Sequence, residues 1–511
     1  MKIKSGIYLL PLALGACQDK AATEAEPKPN IVIIYVDDLG YGDLSCYGGE
    51  VNTPHVDRLA NEGVRFTNAY APAATCTPSR YSLLTGSYSF RVDAGIQDGD
   101  APLLISENTP TLANMLQQNG YTTALVGKWH LGLGDGNVDW NGKIAPGPLE
   151  RGFDYAFMIP ATNDRVPTVW VENHHVVGLD PNDPITVNYR EKVGDDPTGL
   201  ENPELLRFAA DNQHARTIVN GVSRIGYMTG GNSARWKDER MPHEMLNKAR
   251  SFISDNQQQP FFLYFSFPDI HVPRLPDYRF IGATDLGPYG DAIVQMDWVT
   301  GQLVEYLEEL NLAENTLIIF SSDNGPIFND GYEDLSEELV RNGTHEPRGP
   351  FRGGKYSAYE AGTRMPTIAW WPNGIEPGIV SDALIGQIDL YASLAALLGN
   401  NLEENEAPDS HDVMDAILGR SANGREYLML ETFTKSIRKG DYKYIRPVER
   451  LGMRNWIDGT KNIESGAFQV PQLFNLADDI AEQNNIAVEN EEMVREMEEL
   501  LDWIMDNPLS R

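Results

Sequence analysis

Residues able to bind an ion or move a proton recur in one kind of place along this chain, directly after short apolar runs. Asp37-Asp38 follows Ile31–Val36, and Lys128 and His130 follow Thr122–Val126. Asp269 and His271 follow Phe261–Phe267, and Asp323-Asn324 follows Thr316–Ser321. Any one of these could be an ordinary loop, but their recurrence points to one site assembled from separate segments. Asp37, Asp38, Asp323 and Asn324 supply three carboxylates and an amide oxygen, hard donors that suit calcium or magnesium better than zinc. Adjacent aspartates repel when buried and a cation compensates them; a solvated turn is the competing reading of that pair. Lys128, His130, His271 and Lys355, with Arg80, supply donors and positive charge that could hold a tetrahedral oxyanion.

The elements that must position these groups are legible too. The apolar runs, with Pro366–Trp371 as a further one, are hydrophobic on both faces, as buried parallel strands are. Helical patterns lie between them. Thr53-Pro54 reads as an N-cap with proline at the first helical position, opening a helix through Ala60. Asp291–Leu310 places Ile293, Met296, Val299, Leu303, Leu307 and Leu310 on one face. The alternation predicts an α/β fold with a large, mostly parallel or mixed central sheet sandwiched by helices. Ligands in such open sheets bind outside the carboxyl ends of the strands, where the polar residues fall. The main unit is expected over residues 30–399, with insertions around 160–231 that are rich in Asn, Asp, Pro and Gly. Residues 400–511 are expected to form a smaller α+β subdomain. In it Glu426–Leu430 and Tyr442–Arg446 pair around a Gly440 turn, and Glu491–Met505 is a helix.

The chain of 511 residues carries a net charge of −33, which argues against nucleic acid as a partner and requires local cations to hold any anionic substrate. Lys2 and Lys4 precede the short apolar run Gly6–Leu14, a secretory signal pattern. Leu14-Gly15-Ala16-Cys17 resembles a bacterial lipobox, so residues 1–16 are expected to be removed and Cys17 acylated, with 17–29 as a flexible tether. A plain signal peptide with an incidental cysteine is the alternative. Of the three cysteines, Cys17, Cys46 and Cys76, no pair is expected to form a structural disulfide.

The segment Cys76-Thr77-Pro78-Ser79-Arg80, followed by Leu84-Thr85-Gly86, is the most specific signal. With Asp37-Asp38-Leu39-Gly40-Tyr41-Gly42-Asp43, Gly127-Lys128-Trp129-His130-Leu131-Gly132, Ser322-Asp323-Asn324-Gly325 and Phe351-Arg352-Gly353-Gly354-Lys355, it resembles the type I sulfatases of the alkaline phosphatase superfamily. The resemblance spans roughly Asn30 to Ile388 and implies an alkaline phosphatase-like fold. It implies that a separate formylglycine-generating enzyme oxidises Cys76 to 3-oxoalanine (formylglycine), whose hydrated form attacks sulfur. One calcium ion per chain would be held by Asp37, Asp38, Asp323, Asn324 and residue 76. Pro78 suits the first turn of a helix through Leu84, whose dipole favours an anion at residue 76. By the same resemblance Lys128 and Lys355 bind sulfate oxygens, His130 supports the formylglycine, and Arg80 pairs with it or with the metal-site carboxylates. His271 is the general acid. Many relatives carry a histidine where this chain has Arg274, which could instead reach the substrate.

Asn163, Asp164, Arg165, Trp170, His174 and His175 in the insertion are candidate sugar contacts, each with a solvated loop as its alternative. The expected activity is that of an exported, membrane-anchored lipoprotein, periplasmic or at the cell surface. It would hydrolyse sulfate esters of sulfated polysaccharide fragments in an exo manner, with galactose or N-acetylgalactosamine 6-O-sulfate favoured. A phosphomonoester or phosphonate hydrolase and an inactive surface glycan-binding protein are the alternatives.

Overall fold

The computed structural model of the protein describes residues 28–511, so the signal sequence, Cys17 and nearly all of the tether lie outside the described residues. Asn30–Val36 is the middle of a ten-stranded sheet, parallel to Phe261–Ser266 on one side and Thr316–Ser322 on the other. Thr122–Lys128 and then Tyr155–Ile159 continue the parallel half. Thr367–Trp370 also joins the sheet but runs antiparallel to Thr316–Ser322, so the sheet is mixed. An apolar run buried on both faces does not encode its direction.

The period of two explains why these runs must be buried twice. Ile31, Ile33 and Tyr35 face one core, while Val32, Ile34 and Val36 face the other. Leu317 and Ile319 against Ile318 and Phe320 repeat the split. Each such side chain contributes about 1.5–3 kcal/mol on full burial, which holds the strand ends in fixed register. Helices Pro54–Glu62, Met241–Asp255 and Pro288–Glu309 cover one face; Cys76–Thr85, Leu112–Gln118 and Leu390–Leu397 cover the other. Thr53 precedes Pro54 as expected, but its hydroxyl donates to Asp57 Oδ1 (3.1 Å) and accepts from Ser45 N–H (3.0 Å) rather than capping an N–H of the helix.

Tyr427–Glu431, Lys435–Lys439, Tyr442–Ile445 and Gln472–Asn475 form a separate antiparallel sheet. The two strands expected to pair around Gly440 are not direct partners: Lys435–Lys439 lies between them. Helix Glu491–Asp506 buries Met497, Leu501 and Ile504 against this sheet. Residues 407–418 pack instead into the core of the large sheet. A buried ion cluster ties the small sheet to the loop that carries Lys355. Glu360 meets Lys443 (3.0 Å), Arg364 (3.0 Å) and Arg438 (3.3 Å), and Lys443 also meets Glu482 (2.9 Å).

Candidate active site

Val36 and Ser322 are paired in register, so Asp37 and Asp323 leave adjacent strands at the same level. Backbone bonds lock this edge. Asp323 N–H donates to Val36 O (3.0 Å), Asp37 N–H to Asp269 O (2.9 Å), and Ile270 N–H to Asp37 O (2.8 Å). Lys128 arrives on the next strand but one. Gly127 before it has φ 112°, and a Cβ there would stand 1.9 Å from Ser266 O, so only glycine permits the approach.

Cys76 is the first residue of the Cys76–Thr85 helix, preceded by extended Thr75. Pro78 falls in the first turn, where a backbone N–H has no intrahelical acceptor. Every residue of this helix is buried, Arg80 included. Arg80 lies one turn beyond Cys76 and so on the same face. Its Nε and Nη2 donate to Asp323 Oδ2 (2.9 and 2.7 Å), its Nη1 donates to Ser266 Oγ (2.5 Å), and its guanidinium lies 5.3 Å from the centre of the Tyr35 ring.

Cations and carboxylates alternate across the site. Lys128 Nζ is 2.5 Å from Asp37 Oδ2 and 3.9 Å from Asp323 Oδ2. Lys355 Nζ is 2.9 Å from Asp38 Oδ2 and 3.1 Å from Asp330 Oδ2, and Lys461 Nζ is 2.7 Å from Asp330 Oδ1. Burial opposes the Lys355 charge, but Asp38 and Asp330 outweigh it and hold the ammonium well above the usual lysine range. Burial, then Asp323, pushes the Asp37 carboxyl up, while burial is the main reason the Cys76 thiol is raised.

Two histidines present one free nitrogen each. His130 Nε2 faces Gln97 O at 2.9 Å; a carbonyl only accepts, so this nitrogen carries the proton and Nδ1 is left as an acceptor. That Nδ1 is buried with no partner among the described residues. Burial, then Lys128, drives the His130 pKa well down. His271 Nδ1 likewise donates to Val272 O (2.6 Å), leaving Nε2 free, 3.8 Å from Asp38 Oδ2. Burial, then Lys355, lowers His271 to about 4.

Ligand atoms of Asp37, Cys76 and Asp323 lie within 4.8 Å of one another, and those of Asp38, His271 and Asp330 form an adjoining cluster. Asp38 N–H donates to Asp323 Oδ1 (3.3 Å), which joins the two, and Asn324 Nδ2 donates to Asp38 Oδ1 (2.7 Å). Asp37 Oδ1 and Asn324 Oδ1 are buried without a hydrogen-bond partner among the described residues. Two orphaned oxygens beside clustered carboxylates fit a hard divalent cation.

The insertion residues divide sharply. Asp164 is buried beside Arg165 (2.9 Å) and His214 (3.3 Å), and His214 also meets Asp211 (2.7 Å). Burial works against a His214 proton, but Asp164 and Asp211 outweigh it and raise the group. Asn163 is turned to the chain instead, its Nδ2 donating to His271 O and Pro273 O (both 3.3 Å), so it supports the His271 loop. Arg274 is buried and fully engaged: Asp334 at 2.9 Å, Ile270 O at 3.1 Å and Ile327 O at 2.7 Å. Its charge is consumed inside the protein, so the expected reach to substrate does not occur. His174 sits in the turn at the far edge of the sheet, bonded to Glu150 (2.9 Å). At ~4.8 Å per strand that is roughly 20 Å from Asp37. Trp170 stacks on Phe157 (4.4 Å) in the core, and His175 is exposed in the edge strand. Asp330, Lys461, Ser266, Asp211 and His214 join the site without having been expected. Only the Asp211-x-x-His214 spacing carried a signal, an acid and an imidazole one turn apart.

The sulfatase family profile matches residues 29–400 of this chain. An N-acetylgalactosamine-6-O-sulfatase of Bacteroides thetaiotaomicron is 52% identical over 515 residues, covering 98% of this chain and 99% of that protein. Rattus norvegicus steryl-sulfatase is 33% identical over 438 residues, covering 80% of this chain and 74% of that protein. A solved B. thetaiotaomicron structure, from work on the metabolism of multiple glycosaminoglycans, superposes with a TM-score of 0.91 at 51% identity, over 94% of this chain and 100% of that one. A Pseudoalteromonas sulfatase structure gives a TM-score of 0.68 at 26% identity, covering 94% and 90%.

Proposed function

The chain belongs to the sulfatase family of sulfuric ester hydrolases, and on that premise we propose that it removes 6-O-sulfate from N-acetylgalactosamine or galactose at the end of sulfated polysaccharide fragments. The observation that carries the reading is the convergence of Asp37, Asp323, Lys128 and Arg80 around Cys76 at the carboxyl edge of one sheet. The high identity to an N-acetylgalactosamine-6-O-sulfatase, over nearly the whole of both chains, supports the choice of sugar and position.

Oxidation of Cys76 by a separate maturation enzyme supplies the nucleophile, and one calcium ion, held by Asp37, Asp38, Asp323, Asn324 and residue 76, supplies electrostatic stabilisation when bound. Lys128 and Lys355, both close enough to act on residue 76, hold sulfate oxygens. Arg80 keeps Asp323 charged and oriented. His130, through its bare Nδ1, accepts a hydrogen bond from a hydroxyl on residue 76. His271 carries a proton on Nε2 to the departing sugar oxygen, because its Nδ1 is already committed to Val272 O. The negative charge of the approaching sulfate ester raises its proton affinity from the low value set by burial and Lys355. Asp164, Arg165 and His214 bind sugar hydroxyls. Residues 1–29 are read as a lipoprotein signal and tether, with Cys17 anchoring an exported enzyme at the periplasmic or cell surface.

The test compares matured protein on N-acetylgalactosamine 6-sulfate, its 4-sulfate and its 6-phosphate, with mass spectrometry of the Cys76 peptide. Sulfate release from the 6-sulfate, with an oxidised residue 76, is expected. Faster phosphate than sulfate release would establish the phosphohydrolase alternative, and binding without turnover of a fully oxidised protein would establish the inactive one.

A further inference from the structure

A cavity of about 590 Å³ opens beside the turn that carries Cys76, a volume within the range of small-molecule sites. Thr75 and Pro78, on either side of the nucleophile position, form its inner wall. Phe433 of the C-terminal sheet region and Trp456 close it from outside, and Tyr356, immediately after Lys355, lines it too. Tyr356 has φ 73°, an unfavourable backbone for a residue with a side chain, so the surroundings must hold it there. Its N–H donates to Ala74 O (2.8 Å), its ring lies stacked at 6.3 Å from Phe433, and it meets Trp456 edge-on at 5.2 Å. Phe433 remains 42% exposed, a large apolar face turned to solvent next to a polar active site.

The polar part of the lining is specific in sign. Asp93 and Thr432 offer hydroxyl acceptors; Glu431 is buried, its oxygens taken by Ser89 N–H (2.7 Å), the Ser89 hydroxyl (3.0 Å) and Lys435 (2.9 Å), the one cation in the lining, so Asp93 sets the sign. Aromatic faces for ring C–H groups, with carboxylate and hydroxyl oxygens for ring hydroxyls, are the chemistry that recognises a sugar. The negative balance, in a chain of net charge −33, opposes a uronate or a second sulfate at this position.

Resting on the carbohydrate-sulfatase reading above, we propose that this cavity is a second sugar subsite, which holds an uncharged ring linked to the sulfated one and uses Phe433 and Trp456 as stacking surfaces, with the buried Tyr356 ring backing them. Tyr356 makes the subsite continuous with the sulfate-binding loop, because its neighbour Lys355 is the group held by Asp38 and Asp330.

The experiment measures kcat/KM of the matured enzyme on three substrates: N-acetylgalactosamine 6-sulfate, the same sugar linked to a neutral hexose, and the same sugar linked to a uronate. The neutral disaccharide is expected to exceed the monosaccharide by about tenfold, and the uronate disaccharide to fall below the neutral one. Phe433→Ala and Trp456→Ala are each expected to lower the neutral-disaccharide to monosaccharide ratio by about fivefold. A ratio unchanged in both variants, a wild-type preference for the uronate, or equal rates on monosaccharide and neutral disaccharide would overturn the subsite while leaving the sulfatase reading intact. No sulfate release from any of the three would remove both.

Discussion

Replacing Lys355 with methionine keeps most of the volume of the stem and deletes one buried charge. The ammonium stands 2.9 Å from Asp38 Oδ2 and 3.1 Å from Asp330 Oδ2. Neither carboxylate is stranded by its loss: Asn324 Nδ2 remains 2.7 Å from Asp38 Oδ1, and Lys461 Nζ remains 2.7 Å from Asp330 Oδ1. Removing one partner of a buried pair costs about 3–5 kcal/mol, and the retained donors place this variant at the lower end, ~3 kcal/mol. Activity should fall further. A donor that meets charge building in the transition state is worth about 10²–10³ in kcat. Urea unfolding reads the first loss, and kcat on N-acetylgalactosamine 6-sulfate well below the melting temperature reads the second. Lys461→Met is the comparison, since it takes a cation from the same Asp330 without touching sulfate. Its stability should drop similarly while kcat falls less than about tenfold. A Lys355→Met enzyme within about threefold of wild-type kcat would refute the assigned role. Equal activity losses in the two variants would show that holding Asp330 is what counts.

Chelation of divalent cations should abolish sulfate release and lower the melting temperature, with calcium restoring both. A ligand at a hundred times its dissociation constant contributes about 2.7 kcal/mol, and recovery by zinc in preference to calcium would contradict the oxygen-rich donor set. Burial pushes Asp269 up to about 6, against a hydrogen bond from Gln295. The folded state therefore binds this proton more tightly than the unfolded chain. Its contribution, about 3 kcal/mol in order of magnitude, is present below pH ~4 and is lost as pH rises through about 6. Asp269→Asn should flatten that part of the profile of urea midpoint against pH, and a profile identical to wild type would contradict it. Arg274→Ala should leave Asp334 uncompensated and cost about 3–5 kcal/mol with KM unchanged. A raised KM with normal stability would return Arg274 to the substrate.

What was legible from the residues had local causes. A run such as Ile31–Val36, apolar at every position, can only be a strand covered on both faces, and the polar residues after it must then emerge at a sheet edge. The Cys76 helix start was legible for the same reason, since Pro78 and Gly86 mark its two ends. Lys435–Lys439 was missed because Lys-Ser-Ile-Arg-Lys reads as a solvated segment; Arg438 is buried only because Glu360, far away in sequence, neutralises it. Asp330 and His214 were missed because they sit in loops, where no period announces which way a side chain faces. Arg274 and Asp334 became partners through folding across the chain, which diverted a residue that looked available for substrate.

The sequence by itself determined the strands, their carboxyl-edge residues and the helix start at Cys76, because short-range periodicity and a contiguous motif encode them. Only the tertiary structure decided which charges meet. Lys355 with Asp38 and Asp330, Arg80 with Asp323, and Tyr356 against Phe433 and Trp456 are pairings between distant segments. Charge and ring contacts act over a few ångströms in space, and no spacing along the chain records that distance.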